Sequence, residues 1–272
     1  MVTACMPTDF LFDMAFVTKL VLTAAIVVTA SMVTERAGPL IGALVVTLPV
    51  TVWPAFVFLA LDHDATFLAA SAVAGLAINA ITAIYMLIYV VLALKLGLVI
   101  SLAVALPIWI ALALAARSIA WTFVTAGLLN IVLYSSCLWL ADRFRAAAMP
   151  AFATKWYDVP VRTLLVCSLM AAVLITGNWA GPVATGMIAV FPISTTCTML
   201  ILQPRIGGPA TAAVIANGIW GMAGISGGLT ALHLAVEGLG IVPALTLALA
   251  VPVTWNLSVW IYGHRSSRAV KT

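Results

Sequence analysis

The sequence predicts an all-α polytopic membrane protein of about nine transmembrane helices, arranged as two inverted four-helix repeats joined by a linker helix. Composition, a proline-containing pattern that occurs twice, and the placement of the cations predict this class. Of 272 residues, 65% are hydrophobic and 7% are charged, against about 25% charged in an average soluble domain. Short alternating segments typical of a membrane barrel are absent. Helices are therefore the predicted membrane-spanning elements, because a helix satisfies its own backbone hydrogen bonds within the bilayer.

Long apolar stretches predict the individual spans, because about 20 apolar residues cross the hydrocarbon core of a bilayer. The predicted spans are 15–33, 39–61, 66–93, 97–116, 119–141, 162–178, 182–203, 208–236 and 240–262. They group into a first repeat (15–116), a linker span (117–141) and a second repeat (162–262). A tail (1–14), a loop (142–161) and a second tail (263–272) complete the chain.

The cations predict an orientation, because cytoplasmic loops are rich in Lys and Arg. With the loop 142–161 inside, ten of the 12 cations fall inside, and only Lys19 and Arg117 fall outside. The acidic segments 9–13 and 62–64 then face outside. We therefore expect an outer N-terminus and a cytoplasmic C-terminus, in the inner membrane of a bacterium.

The internal repeat is visible at an offset of 143 residues. The pairs are Gly38-Pro39 with Gly181-Pro182, Pro49 with Pro192, Thr51 with Ser194, and Gly75 with Gly218. An odd number of spans separates the copies, so the second copy is expected upside down relative to the first. Inverted repeats with interrupted helices are the layout of many secondary transporters.

The two mid-span prolines predict the candidate site, because proline removes a backbone donor and leaves carbonyls without partners. Hydroxyl side chains cluster beside both prolines, and a half-helix would direct its amides at a solute. The predicted substrate-binding residues are Thr47, Pro49, Thr51, Pro192, Ser194, Thr195, Thr196 and Asn217. The alternative is an ordinary kink whose hydroxyls bond back to the preceding turn.

Four further residues are secondary candidates for the solute path: Asn79, Asn130, Trp220 and Arg205. Each also has a simpler interpretation. The two amides could bond between helices, the tryptophan could belong to the packed core, and Arg205 could anchor the cytoplasmic end of its span.

No span carries Asp or Glu at its centre, and we find no catalytic triad, phosphate-binding motif or metal-ligand spacing. The expectation is therefore no enzyme, no cofactor and no metal site, with Na⁺ or H⁺ left open as a coupling ion. The net charge of +4 is too dispersed to indicate nucleic acid. The expected partners are the lipid bilayer and a small solute, with homo-oligomerisation left open.

The sequence favours a secondary transporter that moves a small polar or anionic solute by alternating access, with its site between the second and seventh spans near mid-bilayer. A channel or facilitator pore built from the same broken helices is the first alternative. An integral-membrane enzyme or assembly subunit is the second. No motif specifies the substrate.

Overall fold

Every regular element described in the computed structural model is a helix. The structure describes residues 14–36, 51–146 and 155–269, and for residues 30–36, 260 and 262–269 it describes the backbone alone. The helices are α1 (Met14–Arg36), α2 (Val52–Asp62), α3 (Ala65–Ala93), α4 (Leu98–Arg117), α5 (Phe123–Ala141), α6 (Asp158–Trp179), α7 (Gly181–Ala189), α8 (Ile193–Ile206), α9 (Gly208–Leu239) and α10 (Ile241–Ala269). A 3₁₀ turn (Asp142–Phe144) follows α5.

Within the described ranges, seven segments are long and apolar enough to cross a membrane. They are α3, α4, α5 with its 3₁₀ turn, α6, α7 with α8, α9, and the first 19 residues of α10. Two shorter apolar helices, Met14–Thr29 within α1 and Val52–Asp62, fall below that length. The chain is therefore an integral membrane protein. The second predicted span, 39–61, begins outside the described residues.

Helices α3 and α9 form the centre of the bundle. The apolar window of α3 is 72% buried within the protein, whereas that of α4 is 17% buried and that of α5 is 22% buried. Small residues also permit close packing of α9 on α10. A Cβ on Gly228 of α9 would lie 2.6 Å from the Ala248 carbonyl of α10. The glycines of α9 thus allow close helix contact, as expected of small residues between membrane helices.

Local signals set the starts of three helices. The Asp64 carboxylate accepts a hydrogen bond from the Phe67 amide at the start of α3 (2.8 Å). Thr122 and Thr125 form a capping box that starts α5. Helix α6 begins at Asp158, four residues before the predicted span, and the carboxylate in its first turn suits the positive end of the helix dipole. The predicted loop 142–161 is shortened accordingly.

Candidate functional site: the broken helix beside Pro192

The segment Gly181–Ile206 is broken near its middle. Helix α7 ends at Ala189 and α8 begins at Ile193, so a three-residue gap separates them. Pro192 has φ −76° and ψ 49°, outside the helical region. Proline cannot donate to the preceding turn and disfavours helical geometry at the residue before it. The break that the sequence predicts beside Pro192 is present.

The break places the N-terminal turn of α8 midway along a membrane segment. Pro192 is the N-cap, and no side chain caps the helix. The first regular backbone bond runs from the Thr196 amide to the Pro192 carbonyl (2.9 Å), and no backbone acceptor in the described chain takes the amides of Ser194 and Thr195. A helix N-terminus carries partial positive charge and attracts anions or polar oxygens.

The hydroxyls of this turn divide into two groups. Thr196 donates to the Pro192 carbonyl (2.8 Å) and Thr198 donates to the Ser194 carbonyl (2.9 Å), so both bond back to their own helix. Ser194 and Thr195 are half-buried, and neither hydroxyl has a hydrogen bond within the described residues. The kink interpretation therefore describes Thr196, while Ser194 and Thr195 remain candidates for contact with a solute.

Aromatic residues of α3 and α4 hold the break in place. The Tyr85 hydroxyl lies 2.9 Å from Thr196 Oγ1. Because the only hydroxyl proton of Thr196 goes to the Pro192 carbonyl, Tyr85 is the donor of this contact. Trp109 packs edge-on against Phe191 with 4.9 Å between ring centroids. A hydrogen-bond chain from Tyr85 of α3 thus reaches the Pro192 carbonyl through Thr196.

The first-repeat part of the predicted site is described only at its end. Thr47 and Pro49 lie outside the described residues. Thr51 is buried and is the N-cap of α2, and its carbonyl accepts a 3.4 Å bond from the Ala55 amide. Its hydroxyl makes no capping bond.

Asn217 bonds to residues other than those at the break. Its side-chain oxygen accepts a 2.9 Å bond from Arg145 Nε, and its amide donates to the carbonyls of Arg145 (3.2 Å) and Ala213 (2.8 Å). No hydrogen bond in the described chain joins it to Ser194 or Thr195. Asn217 thus connects α9 to the segment after α5, and its place in a shared cavity stays a prediction.

Arg205, at the end of α8, forms an ion pair with Asp158 at the start of α6. One guanidinium nitrogen lies 2.6 Å from Asp158 Oδ2, and a second contacts Oδ1. Both side chains are 10% exposed. This pair supports the anchor interpretation of Arg205, because it fastens α8 to α6 at one end of both helices.

A second polar cluster joins α3, α5 and α9 at mid-length. Asn79 donates to Ser226 Oγ (2.8 Å), and Ser226 donates to Asn130 Oδ1 (2.6 Å). The Tyr134 hydroxyl donates to the Asn79 carbonyl (3.2 Å). Asn79 Oδ1 is buried without a partner in the described chain. Asn79 and Asn130 thus form the hydrogen bonds between helices that their simpler interpretation predicted. The sequence did not identify Ser226 and Tyr134 as their partners, because serine and tyrosine occur in many spans and give no distinguishing signal.

Trp220 lies beside a surface cavity at the end of α5. The cavity is about 460 Å³ and is lined by Leu138, Trp139, Leu140, Asp142, Arg143 and Trp220. The Trp220 carbonyl accepts a 2.7 Å bond from the Trp255 indole, whereas its own indole N–H lacks a partner in the described part of the chain. None of the residues that line this cavity belongs to the break beside Pro192, so the two features are separate.

Within the described ranges, no three His, Cys, Asp or Glu side chains are grouped to hold a metal ion. The expectation that the chain needs no metal or cofactor stays a prediction. The chain matches no family model, no curated protein and no solved structure. A functional conclusion therefore depends on the geometry of the site.

Proposed function

We propose that the protein is a secondary transporter that moves a small polar or anionic solute by alternating access. The observation that carries this proposal is the uncapped N-terminus of α8, placed midway along a membrane segment. Discontinuous helices with such half-helix ends bind substrates in inverted-repeat transporters. Ser194 and Thr195 would supply amides and hydroxyls to the solute, and no cofactor is needed for that role.

Contacts between α3 and α9 support the inverted repeat. Adding 143 to Gly75 and Met86 gives Gly218 and Leu229. A Cβ on Gly75 would lie 3.6 Å from Leu229, and one on Gly218 would lie 3.3 Å from Met86. The Gly75–Leu229 contact and the Met86–Gly218 contact are therefore equivalent when each residue is replaced by its counterpart in the other repeat. Such a reciprocal pair of contacts is expected when a two-fold axis relates α3 to α9.

The half-helices support the same symmetry. Helix α2 spans Val52–Asp62, and the same offset maps this range onto 195–205, which lies within α8 (Ile193–Ile206). The start of α2 thus falls within two residues of the start of α8 in repeat register. The second predicted span would then contain a helix start equivalent to the break beside Pro192.

Orientation is part of the proposal and predicts a labelling pattern. In a variant lacking Cys5, Cys137, Cys167 and Cys197, a cysteine at position 63 should react with an impermeant maleimide from the periplasmic side. Cysteines at 152 and 268 should react only after the membrane is opened, because the Lys- and Arg-rich segments stay inside. Reaction of 63 and 268 from the same side of intact cells would refute the odd span count and the inversion.

The solute contacts predict a graded loss of affinity. Ser194→Ala and Thr195→Ala should each raise the half-saturating solute concentration about five-fold, the equivalent of about 1 kcal/mol for one neutral hydrogen bond. Thr198→Ala is the matched control, because Thr198 already bonds to the Ser194 carbonyl. The measurement is counterflow of labelled acetate, phosphate or glycine in proteoliposomes.

The same experiment separates the alternatives. Saturable uptake with counterflow supports a carrier, whereas unitary currents in a planar bilayer support the channel. Equal affinity in Ser194→Ala, Thr195→Ala and Thr198→Ala, with correctly inserted protein, would exclude the break as the solute site.

A further inference from the structure

One face of α6 runs from the ion pair at the end of α8 to the break. Asp158, Arg162 and Val166 follow one another at four-residue spacing, so they lie on the same face of the helix. Asp158 binds Arg205, and Val166 packs in a cluster with Ile193 and Cys197 of α8. Arg162 therefore lies between the ion pair and the first turn after Pro192.

Comparison of the two repeats shows an excess positive charge here. In the first repeat, Lys19 is paired with Asp62 at 2.5 Å. The offset of 143 places Arg162 at the Lys19 position and Arg205 at the Asp62 position, so the second repeat has two arginines in place of one ion pair. Asp158 supplies one carboxylate, and Arg205 occupies both of its oxygens.

Arg162 is consequently left without an anion of its own. Its Nε is buried and has no hydrogen-bond partner within the described residues. The guanidinium lies near enough to Asp158 and Cys197 to interact with both electrostatically, which places it against α8. A buried donor without a partner destabilises the fold, and more so when it is charged.

The surrounding charges strengthen the positive potential. Lys155 lies 5.5 Å and the Arg205 guanidinium 5.7 Å from the centre of the Tyr157 ring. Hydrogen bonding by Lys155, and then by Arg205, holds the pKa of Tyr157 below its ordinary value. Lys155 and Arg205 therefore add positive charge beside Arg162, and among the described residues Arg205 is the one that forms an ion pair with Asp158.

We propose that Arg162 binds the carboxylate or phosphate group of a soluble anion, at a subsite between the Asp158–Arg205 pair and the break. This inference rests on the proposed transport function and restricts its substrate to anions. A guanidinium offers paired donors that match a carboxylate or a phosphate. The N-terminus of α8, further along the same face of α6, attracts the same charge.

Anion-dependent thermal unfolding of the purified protein in an uncharged detergent tests the subsite. Potassium phosphate and potassium acetate are titrated separately, with potassium chloride holding the ionic strength constant. A bound anion stabilises the folded state by mass action, so the midpoint should rise and saturate. Arg162→Gln should raise the half-saturating concentration tenfold or more, because it removes charge-assisted bonds.

Two variants keep the result interpretable. Arg162→Lys should bind with intermediate affinity, because it retains the charge and loses the paired geometry. Arg117→Gln, at the exposed end of α4, is the matched control and should behave like wild type. If Arg162→Gln fails to fold, the titrations of Arg162→Lys and of the wild type still test whether an anion binds at Arg162. A wild-type midpoint insensitive to both anions, or equal affinity in wild type and the folded variants, overturns the proposal.

Lipid phosphate is distinguished by a second arm. Wild type and Arg162→Gln are compared in nanodiscs of phosphatidylglycerol and of phosphatidylcholine. Stabilisation that depends on Arg162 only with phosphatidylglycerol, and not with soluble anions, would overturn the subsite. Soluble-anion binding without flux would leave the subsite intact and refute transport. Flux of glycine that is unchanged in Arg162→Gln, without anion binding, would refute the subsite alone.

Discussion

Asp158→Asn should lower the free energy of unfolding by about 3–5 kcal/mol, because breaking a buried ion pair leaves the partner charge uncompensated. Asp158 and Arg205 are each only 10% exposed, and the carboxylate accepts from two guanidinium nitrogens. The loss should be larger than for an ordinary pair, because Asp158 also interacts electrostatically with Arg162.

The matched control is Asp142→Asn. Asp142 pairs with Arg145 at 3.2 Å, and its side chain is 74% exposed. An exposed pair contributes about 0–1 kcal/mol, so this variant should unfold nearly as wild type does. Unfolding by sodium dodecyl sulfate in mixed micelles measures both. Equal stability of Asp158→Asn and Asp142→Asn would show that the Asp158–Arg205 contact does not fasten α6 to α8.

Gly186→Ala should destabilise the fold by about 3 kcal/mol or more, at or above the upper end of ordinary overpacking. Gly186 lies in α7 where the helix crosses α3, and a Cβ there would lie 2.0 Å from the Ser71 carbonyl oxygen. Backbone cannot move aside as a flexible side chain can. Helix α7 would have to shift away from α3, which would also displace the break that follows it.

Gly127→Ala in α5 is the control for this substitution. A Cβ on Gly127 would meet no atom within 4 Å. The change should therefore be neutral or should stabilise the protein by up to about 1 kcal/mol through helix propensity. The same unfolding titration compares the two variants. A Gly186→Ala protein as stable as Gly127→Ala would contradict the close approach of α7 and α3.

Much of the fold could be predicted from the sequence, because lipid imposes strict requirements on a chain. A membrane segment must be apolar, long and helical. Composition therefore indicated the class, and the lengths of the apolar stretches indicated most of the spans. The position of the break was also predictable, because the effect of Pro192 on a helix is local and needs no information from distant residues.

The tertiary structure decided which polar groups meet. Side-chain type shows that Asn217, Thr196 and Arg205 need partners, but distant elements determine what those partners are. Asn217 bonds to Arg145, Thr196 accepts from Tyr85, and Arg205 takes the carboxylate of Asp158. These contacts left Ser194 and Thr195 as the hydroxyls of the break without partners in the described chain.

The role of Arg162 shows the same division. The sequence placed it with the cytoplasmic cations, where the topology rule alone would explain it. Its four-residue spacing from Asp158 and its 143-residue offset from Lys19 can be found in the sequence. Only the packing of α6 on α8 shows that Arg205 takes both oxygens of Asp158 and leaves Arg162 without a carboxylate of its own. Propensity and hydropathy are local, whereas electrostatic compensation depends on which charges the packed helices bring together.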